Sequence, residues 1–342
     1  MRLLTWCWPT GRSQKASQRR NGNVGRASWK RRVIDKGEWI KGVAHWTEGD
    51  VAMISVAFTW RLPEARKIAT YYRAIGMTVR IGGPALFTKK ARDYMLDYGD
   101  VISPVESSGR VQSPDAVFRH NPMATFASRG CPVGCSFCIV TPMEGAEFTE
   151  FDNFAVRPVL CDNNLSALDP KFQDHIVSRY LREGVPLLDA NSGFEPGTFD
   201  EEVFRRWSPV LKGPWRFGYD ESGEGTAVER VMRMLREVSP RKKQVYTMIG
   251  HEPFDVCMER IQRVIAWGGE PYVQPFMQLN TLEKRAKVRH DWTEMKLRRV
   301  ARWANRHIWR KTPNFADYRP SAKTAKAIDE TWDGTLFAAH AT

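Results

Sequence analysis

Met123-Ala-Thr-Phe-Ala-Ser-Arg-Gly-Cys131-Pro-Val-Gly-Cys135-Ser-Phe-Cys138 decides how the rest of this chain is read. Its first half, Met123 to Ser128, predicts a short buried strand. Its second half is a tight loop with three cysteines at C-x-x-x-C-x-x-C spacing and an aromatic, Phe137, before the third. Three thiolates on one short loop can each hold one iron of a cubic 4Fe–4S cluster, which leaves the fourth iron without a protein ligand. An open metal position is what catalytic sites keep for a substrate. Zinc is the competing reading. It needs a fourth ligand and ordinarily takes two separated ligand pairs. No second C-x-x-C and no H-x-x-x-H pair occurs, and Cys7, Cys161 and Cys257 stand singly. A disulfide scaffold is a poorer fit, because such scaffolds are short and dense in cysteine.

The sequence on both sides of the loop alternates short apolar runs with helix-length amphipathic ones. Strands are predicted at Val159–Cys161, Val185–Ala190, Trp215–Tyr219, Gln244–Ile249 and Tyr272–Gln274. Helices are predicted at about Lys171–Arg182, Thr198–Trp207, Thr226–Val238 and Asp255–Trp267, and a long final one at Asn280–Trp309. Such alternation predicts a parallel sheet with crossover helices. Parallel α/β barrels build their sites at the C-terminal ends of the strands, which is where the cysteine loop falls.

Upstream, Val51–Ala57 predicts a strand. Pro63 opens a helix that stops at Gly76, Met77–Ile81 predicts a second strand, and Val101–Ser103 a third. Gly82-Gly83-Pro84 reads as a turn rather than a phosphate cradle. The domain division expected is a basic arm at 1–46, a small α/β module at 47–118, a core at 119–282 and a basic helical extension at 283–342.

Charge is uneven. Residues 1–41 hold 11 Lys/Arg and two Asp/Glu; residues 283–342 hold 14 and seven; the middle is slightly acidic within an overall +13. Basic ends fit phosphate contact or a solvated surface equally well. The first 34 residues lack Asp and Glu, which suits a disordered arm, a transit peptide or a start codon placed too early. No run of 18 apolar residues is present, so no membrane span is expected. The cysteine usage points to a reducing, cytoplasmic compartment.

The loop, preceded by Ser128-Arg129-Gly130, resembles the signature of the radical S-adenosylmethionine (SAM) superfamily. The resemblance covers about residues 120–280. It implies a partial (β/α)6 TIM-type barrel, a 4Fe–4S cluster on Cys131, Cys135 and Cys138, and SAM bound at the open iron. It also implies a one-electron donor such as flavodoxin or ferredoxin. Electron transfer would split SAM into methionine and a 5′-deoxyadenosyl radical that takes a hydrogen atom from a substrate. By the same resemblance Phe137 lies near the adenine. Asp162 or Asn163 stands where relatives bind the SAM amino group through a Gly-Gly-Glu element, which this chain lacks. Gly218-Tyr-Asp-Glu221-Ser222-Gly223 is similar to the G-x-E-S-G element, with Glu221 and Ser222 toward the ribose or amino group. Ile249 and Gly250 match the adenine-packing strand, where Tyr246 replaces a glycine. Gln274 ends the sixth strand as in relatives. Asn191, Ser192 and Glu195 are candidates for ribose or substrate contact, and His251 and Glu252 could face substrate.

The upstream module resembles part of a cobalamin-binding domain. It is too short and lacks D-x-H-x-x-G, so bound cobalamin is not expected. No residue is assigned to the substrate's chemistry itself. The final helix interleaves Trp292, Trp303 and Trp309 with Lys284, Arg285, Arg298, Arg299, Arg302, Arg306 and Arg310. This pattern fits either base stacking with phosphate contact or tryptophans packed on the barrel. The substrate classes left open are a nucleobase, a nucleotide or nucleic acid, a peptide and a tRNA. A second cluster site of the tRNA methylthiotransferase kind and a cysteine-rich C-terminal extension are both missing. The alternative of another class is a non-catalytic nucleic-acid-binding protein stabilised by zinc or a structural cluster.

Overall fold

The computed structural model describes residues 36–104, 114–277, 281–284, 286, 288–322, 324 and 325. The predicted arm up to residue 35, Cys7, Arg285 and the first residue of the predicted final helix lie outside them.

The upstream module is a four-stranded sheet in the order β1 (Val43–Glu48), β2 (Val51–Val56), β3 (Thr78–Gly82), β4 (Asp100–Val101). Strands β2, β3 and β4 run parallel, and β1 is antiparallel to β2 through a tight turn at Gly49. Helix α1 (Leu62–Ala74) has Pro63 in its first turn, where a missing N–H costs nothing. It buries Leu62, Ala65 and Ala69 against Ala52, Ile54, Val56, Val79 and Ile81. Helix α2 (Lys89–Met95) is capped by Thr88, whose Oγ1 accepts from Ala91 N. Gly83 has φ +106°, and a Cβ there would stand 2.5 Å from the Val56 carbonyl oxygen. Gly82-Gly83 is therefore a close-approach turn, as expected. Strand β1 was not expected: only Val43 and Ala44 are buried, so its sequence shows no apolar run.

Helix α3 (Pro114–His120) joins the module to the rest. His120 Nε2 lies 3.0 Å from Ser55 Oγ, and Ile40 N donates to His120 O. The elements that follow are β5 (Ala124–Thr125), β6 (Ser128–Arg129), α4 (Val140–Glu144), β7 (Thr149–Glu150), β8 (Val159–Leu160), α5 (Pro170–Glu183), β9 (Asp189–Ala190), α6 (Glu201–Trp207), β10 (Trp215–Gly218), α7 (Gly225–Met234), β11 (Lys243–Ile249), α8 (Phe254–Ala266), β12 (Glu270–Pro275) and α9 (Glu294–Asn305). Strands β5-β8-β9 form one parallel sheet and β10-β11-β12 another. A parallel bridge from Phe194 to Phe217 stands between them, and β6 pairs antiparallel with β7. The protein is thus a mixed α/β fold with no closed barrel among the described residues.

The main core lies between the strands and α5, α6 and α7. Leu160, Ala190, Phe217 and Val245 meet Phe172, Ile176, Val203, Trp207, Val228 and Val231. Each such side chain contributes about 1.5–3 kcal/mol on burial. Alternate strand positions face the other way. There Trp39, from the segment leading into β1, packs on Ala124, Val159 and Cys161.

Three expected boundaries are corrected. The strand predicted over Met123–Ser128 breaks into β5 and β6, because the Asp162 carboxylate takes the Ala127 N–H that a longer ladder would use. Helix α6 begins at Glu201 rather than Thr198, because Asp200 caps it through Val203 N. The final helix begins at Glu294 rather than Asn280, because Thr293 caps it through Lys296 N, and it ends at Asn305. Trp309 lies beyond it in a single 3-10 turn, Ile308–Arg310.

Candidate metal loop and strand-end site

The cysteine loop leaves β6 at Gly130 and returns into α4. Gly130 has φ +91°, and a Cβ there would stand 2.0 Å from the Glu147 carbonyl oxygen, so only glycine fits. Cys131 N donates to Gly145 O, and Thr141 Oγ1 donates to Cys131 O at 3.1 Å. These bonds tie the two ends of the loop together. Cys138 N donates to Cys135 O at 2.9 Å, which forms the turn that carries the second and third thiols. Cys131 is buried, while Cys135 and Cys138 are partly exposed. Gly134, at φ +62°, has open space where a side chain would be.

A buried polar network supports the loop. Glu144 Oε2 accepts from Gly130 N at 3.2 Å and from Asn163 Nδ2 at 2.6 Å. Asn163 Nδ2 also lies 3.2 Å from Gly130 O. Asp162 accepts from Ser128 Oγ at 2.6 Å and from Ala127 N. Burial pushes the Asp162 carboxyl up to about 6, against the opposing pull of these donors. Arg129 is buried over the Phe126 ring and donates to Cys161 O at 3.2 Å.

The open side of the loop meets the ends of the later strands. Ser136 Oγ donates to Glu221 Oε1 at 2.8 Å, just past β10. The Phe137 ring meets His251, just past β11, at 6.4 Å between centroids. His251 in turn meets Phe276, just past β12, at 6.3 Å. Burial first, then the nearby Arg260 guanidinium, pushes the His251 imidazole down to about 4, so it is neutral at neutral pH. Ser222 Oγ donates to Glu252 Oε1 at 3.2 Å.

Several expected residues stand elsewhere. Asn191 is buried with its Nδ2 3.6 Å from Cys161 Sγ, and burial pushes that thiol far up, so it stays protonated. The Ile249 side chain is in the core with Cys257, Ile261 and Val273, and its carbonyl accepts from Phe276 N. Gly250 has φ +92° and approaches Leu297. Gln274 is half-buried opposite Met248 on β12. Ser166 Oγ accepts the backbone N–H of Glu195. Trp292 and Trp303 are buried; their indole N–H groups donate to Glu252 O and Thr312 O at 2.8 Å each. Neither is available to stack on a base. The packing reading of these two tryptophans holds.

Among the described residues, His251, Glu252 and Cys257 bring metal-binding atoms within 4.8 Å of one another. Arg260 already occupies this group. Its Nη2 lies 2.5 Å from Glu252 Oε2 and 3.4 Å from Cys257 Sγ, and its Nη1 donates to Asp220 O. A buried guanidinium in that position opposes a second cation.

Sequence reasoning missed Glu144, Arg129, Arg260 and the buried pair Arg216–Asp189, at 2.9 Å. Arg216 also donates to Tyr246 Oη, and Lys36 approaches Asp189 at 3.5 Å. The available signal was a single charge inside an otherwise apolar run, as in Trp215-Arg216-Phe217.

No family model matches this chain, and no curated protein matches it.

Proposed function

We propose that this protein is a radical SAM enzyme: it binds a 4Fe–4S cluster on Cys131, Cys135 and Cys138 and uses it to cleave SAM reductively. One observation carries the reading. The three-cysteine loop follows the first parallel strand and touches, through Ser136 and Phe137, the ends of the fourth and fifth. A loop so placed lies where parallel α/β sheets assemble their sites.

The donor set fits a cluster with one open iron. The other two described cysteines are committed elsewhere: Cys161 to Asn191, and Cys257 to Glu252 O and Arg260. Neither offers the fourth sulfur that structural zinc would need. When bound, the cluster supplies the electron that breaks a carbon–sulfur bond of SAM. The chain's own residues hold and shield the site. Glu144 and Asn163 fix the base of the loop. Glu221 offers a carboxylate oxygen for a hydroxyl or ammonium group. Phe137, neutral His251 and Phe276 make an apolar wall that keeps water from the reacting atoms.

The six parallel strands, joined at Phe194–Phe217, support a partial (β/α)6 arrangement. The reading carries with it a one-electron protein donor and a reducing, cytoplasmic setting. No helix is long and apolar enough to cross a membrane among the described residues.

The test is iron and sulfide analysis with electron paramagnetic resonance of anaerobically reconstituted protein. The reading expects about four irons per chain and a cluster signal that changes when SAM is added. A signal indifferent to SAM would favour a structural cluster.

A further inference from the structure

The basic C-terminal region has a pocket that the strand-end site does not use. A cavity of about 270 Å³ lies beside the N-terminal half of α9, lined by Thr293, Lys296, Arg299, Phe315, Tyr318 and Arg319 among others. Three of these are cations and none of the lining residues is acidic. Lys296 is the one neutralised in part, by Asp291 at 3.2 Å. Arg299 forms no ion pair among the described residues, and its buried Nε has no hydrogen-bond partner. The Tyr318 hydroxyl likewise has none, although Tyr318 is only 9% exposed. A buried hydroxyl without a partner costs about 1–3 kcal/mol, so a ligand that supplied one would recover it.

The positive charge continues past the pocket. Arg302 follows Arg299 by three residues and Arg306 follows by seven, a row of about 10 Å on one side of the helix. Burial and then the neighbouring Arg302 push the Arg306 guanidinium below its ordinary range. Like charges this close are stable in a fold when something negative sits among them. The pocket also opens at the first turn of α9, a helix of 12 residues, whose free N–H groups and dipole favour an anion. Phe315 and Tyr318 add two ring faces beside the cations.

We propose that this pocket binds a phosphate group of a nucleotide or of a nucleic-acid strand, with Arg299, Arg319 and Lys296 as its cations and Tyr318 as a hydroxyl donor. Phosphate suits this set because guanidinium groups pair with it in a fork and a phenol can donate to a third oxygen. The site stands apart from the cysteine loop and does not depend on the cluster.

The experiment measures binding of the full-length protein to a fluorescein-labelled single-stranded oligonucleotide, by anisotropy, across a salt series. Unlabelled ATP and inorganic pyrophosphate compete in parallel. Three proteins are compared: wild type, Arg299→Gln/Arg319→Gln, and Lys67→Gln/Lys90→Gln, which removes the same charge from exposed positions of the upstream module. The pocket variant is expected to lose about tenfold or more in affinity. Its salt slope should fall by roughly 1.4, two single-strand phosphate contacts. The control should change less than twofold. Competition by ATP or pyrophosphate at millimolar levels identifies a single phosphate group as the ligand. Competition by neither, with tight oligonucleotide binding, identifies the strand backbone. Equal losses in both variants, or no binding of any probe by wild type, would overturn the proposal. Arg299→Lys keeps the charge and should retain most binding, which separates loss of the site from loss of the fold.

Discussion

Ser136 and Glu221 are 85 positions apart and share a 2.8 Å hydrogen bond, Oγ to Oε1. This contact sets the cysteine loop against the end of β10. It places Cys135 and Cys138 at the mouth formed by the later strands rather than over solvent. Because it joins a serine and a carboxylate at the surface, it is also open to direct test. Ser136→Ala and Glu221→Gln should each weaken SAM binding by about five- to tenfold, the worth of one such bond. The double variant should be little worse than either single one if the two act through this contact. Equilibrium binding of SAM to reconstituted protein measures it; full additivity would separate the two residues.

The loop's two left-handed glycines make a matched pair. Gly130→Ala meets the Glu147 carbonyl oxygen at 2.0 Å as well as an unfavourable φ, while Gly134→Ala meets only the φ of +62° in open space. Iron content per chain after reconstitution should collapse for Gly130→Ala and stay near wild type for Gly134→Ala. Equal iron in both would show that the backbone bonds around Gly130 do not shape the loop.

Asp162 gives a pH signature. Its folded pKa is raised, from 3.8 to about 6, by burial. The stability it contributes is therefore fully present below about pH 4 and is lost as pH rises through 6. Relative to Asp162→Asn, wild-type protein should lose about 2–3 kcal/mol between pH 4 and pH 7. Urea melts of cluster-free protein at the two pH values measure the difference. A gap that does not change, or that moves the other way, would mean that the donors on Asp162 outweigh its burial.

Trp303 is fully buried, stacks edge-on against Phe315 and bonds Thr312 O. Trp303→Ala should cost about 3–5 kcal/mol, read as a fall in urea midpoint. A loss under 1 kcal/mol would return Trp303 to the surface, and with it the base-stacking reading of this helix.

Legibility in the sequence followed burial. Strands β2, β3, β8, β10, β11 and β12 were readable because both of their faces are covered, which leaves continuous apolar runs such as Val-Tyr-Thr-Met-Ile at 245–249. Strand β1 was not, because most of its residues reach solvent. The end of α1 was readable from Gly76, but the start of α9 was not. Periodicity runs through Trp292 into the linker before it, and only the Thr293 cap marks where the helix begins. At the site, the cysteines, Phe137 and Glu221 were visible as motif positions. Glu144 and Arg260 were not, because their roles come from partners distant in sequence: Asn163 for one, Asp220 and Glu252 for the other. No local pattern encodes a contact of that kind.

The central claim is that the loop on Cys131, Cys135 and Cys138 supports reductive cleavage of SAM. The measurement is 5′-deoxyadenosine formed from SAM by anaerobically reconstituted protein with a low-potential reductant, beside Cys135→Ala and Cys161→Ala. The account predicts product from wild type and from Cys161→Ala, and none from Cys135→Ala. Protein that purifies with one tightly held zinc and no iron, and forms no 5′-deoxyadenosine, would contradict it.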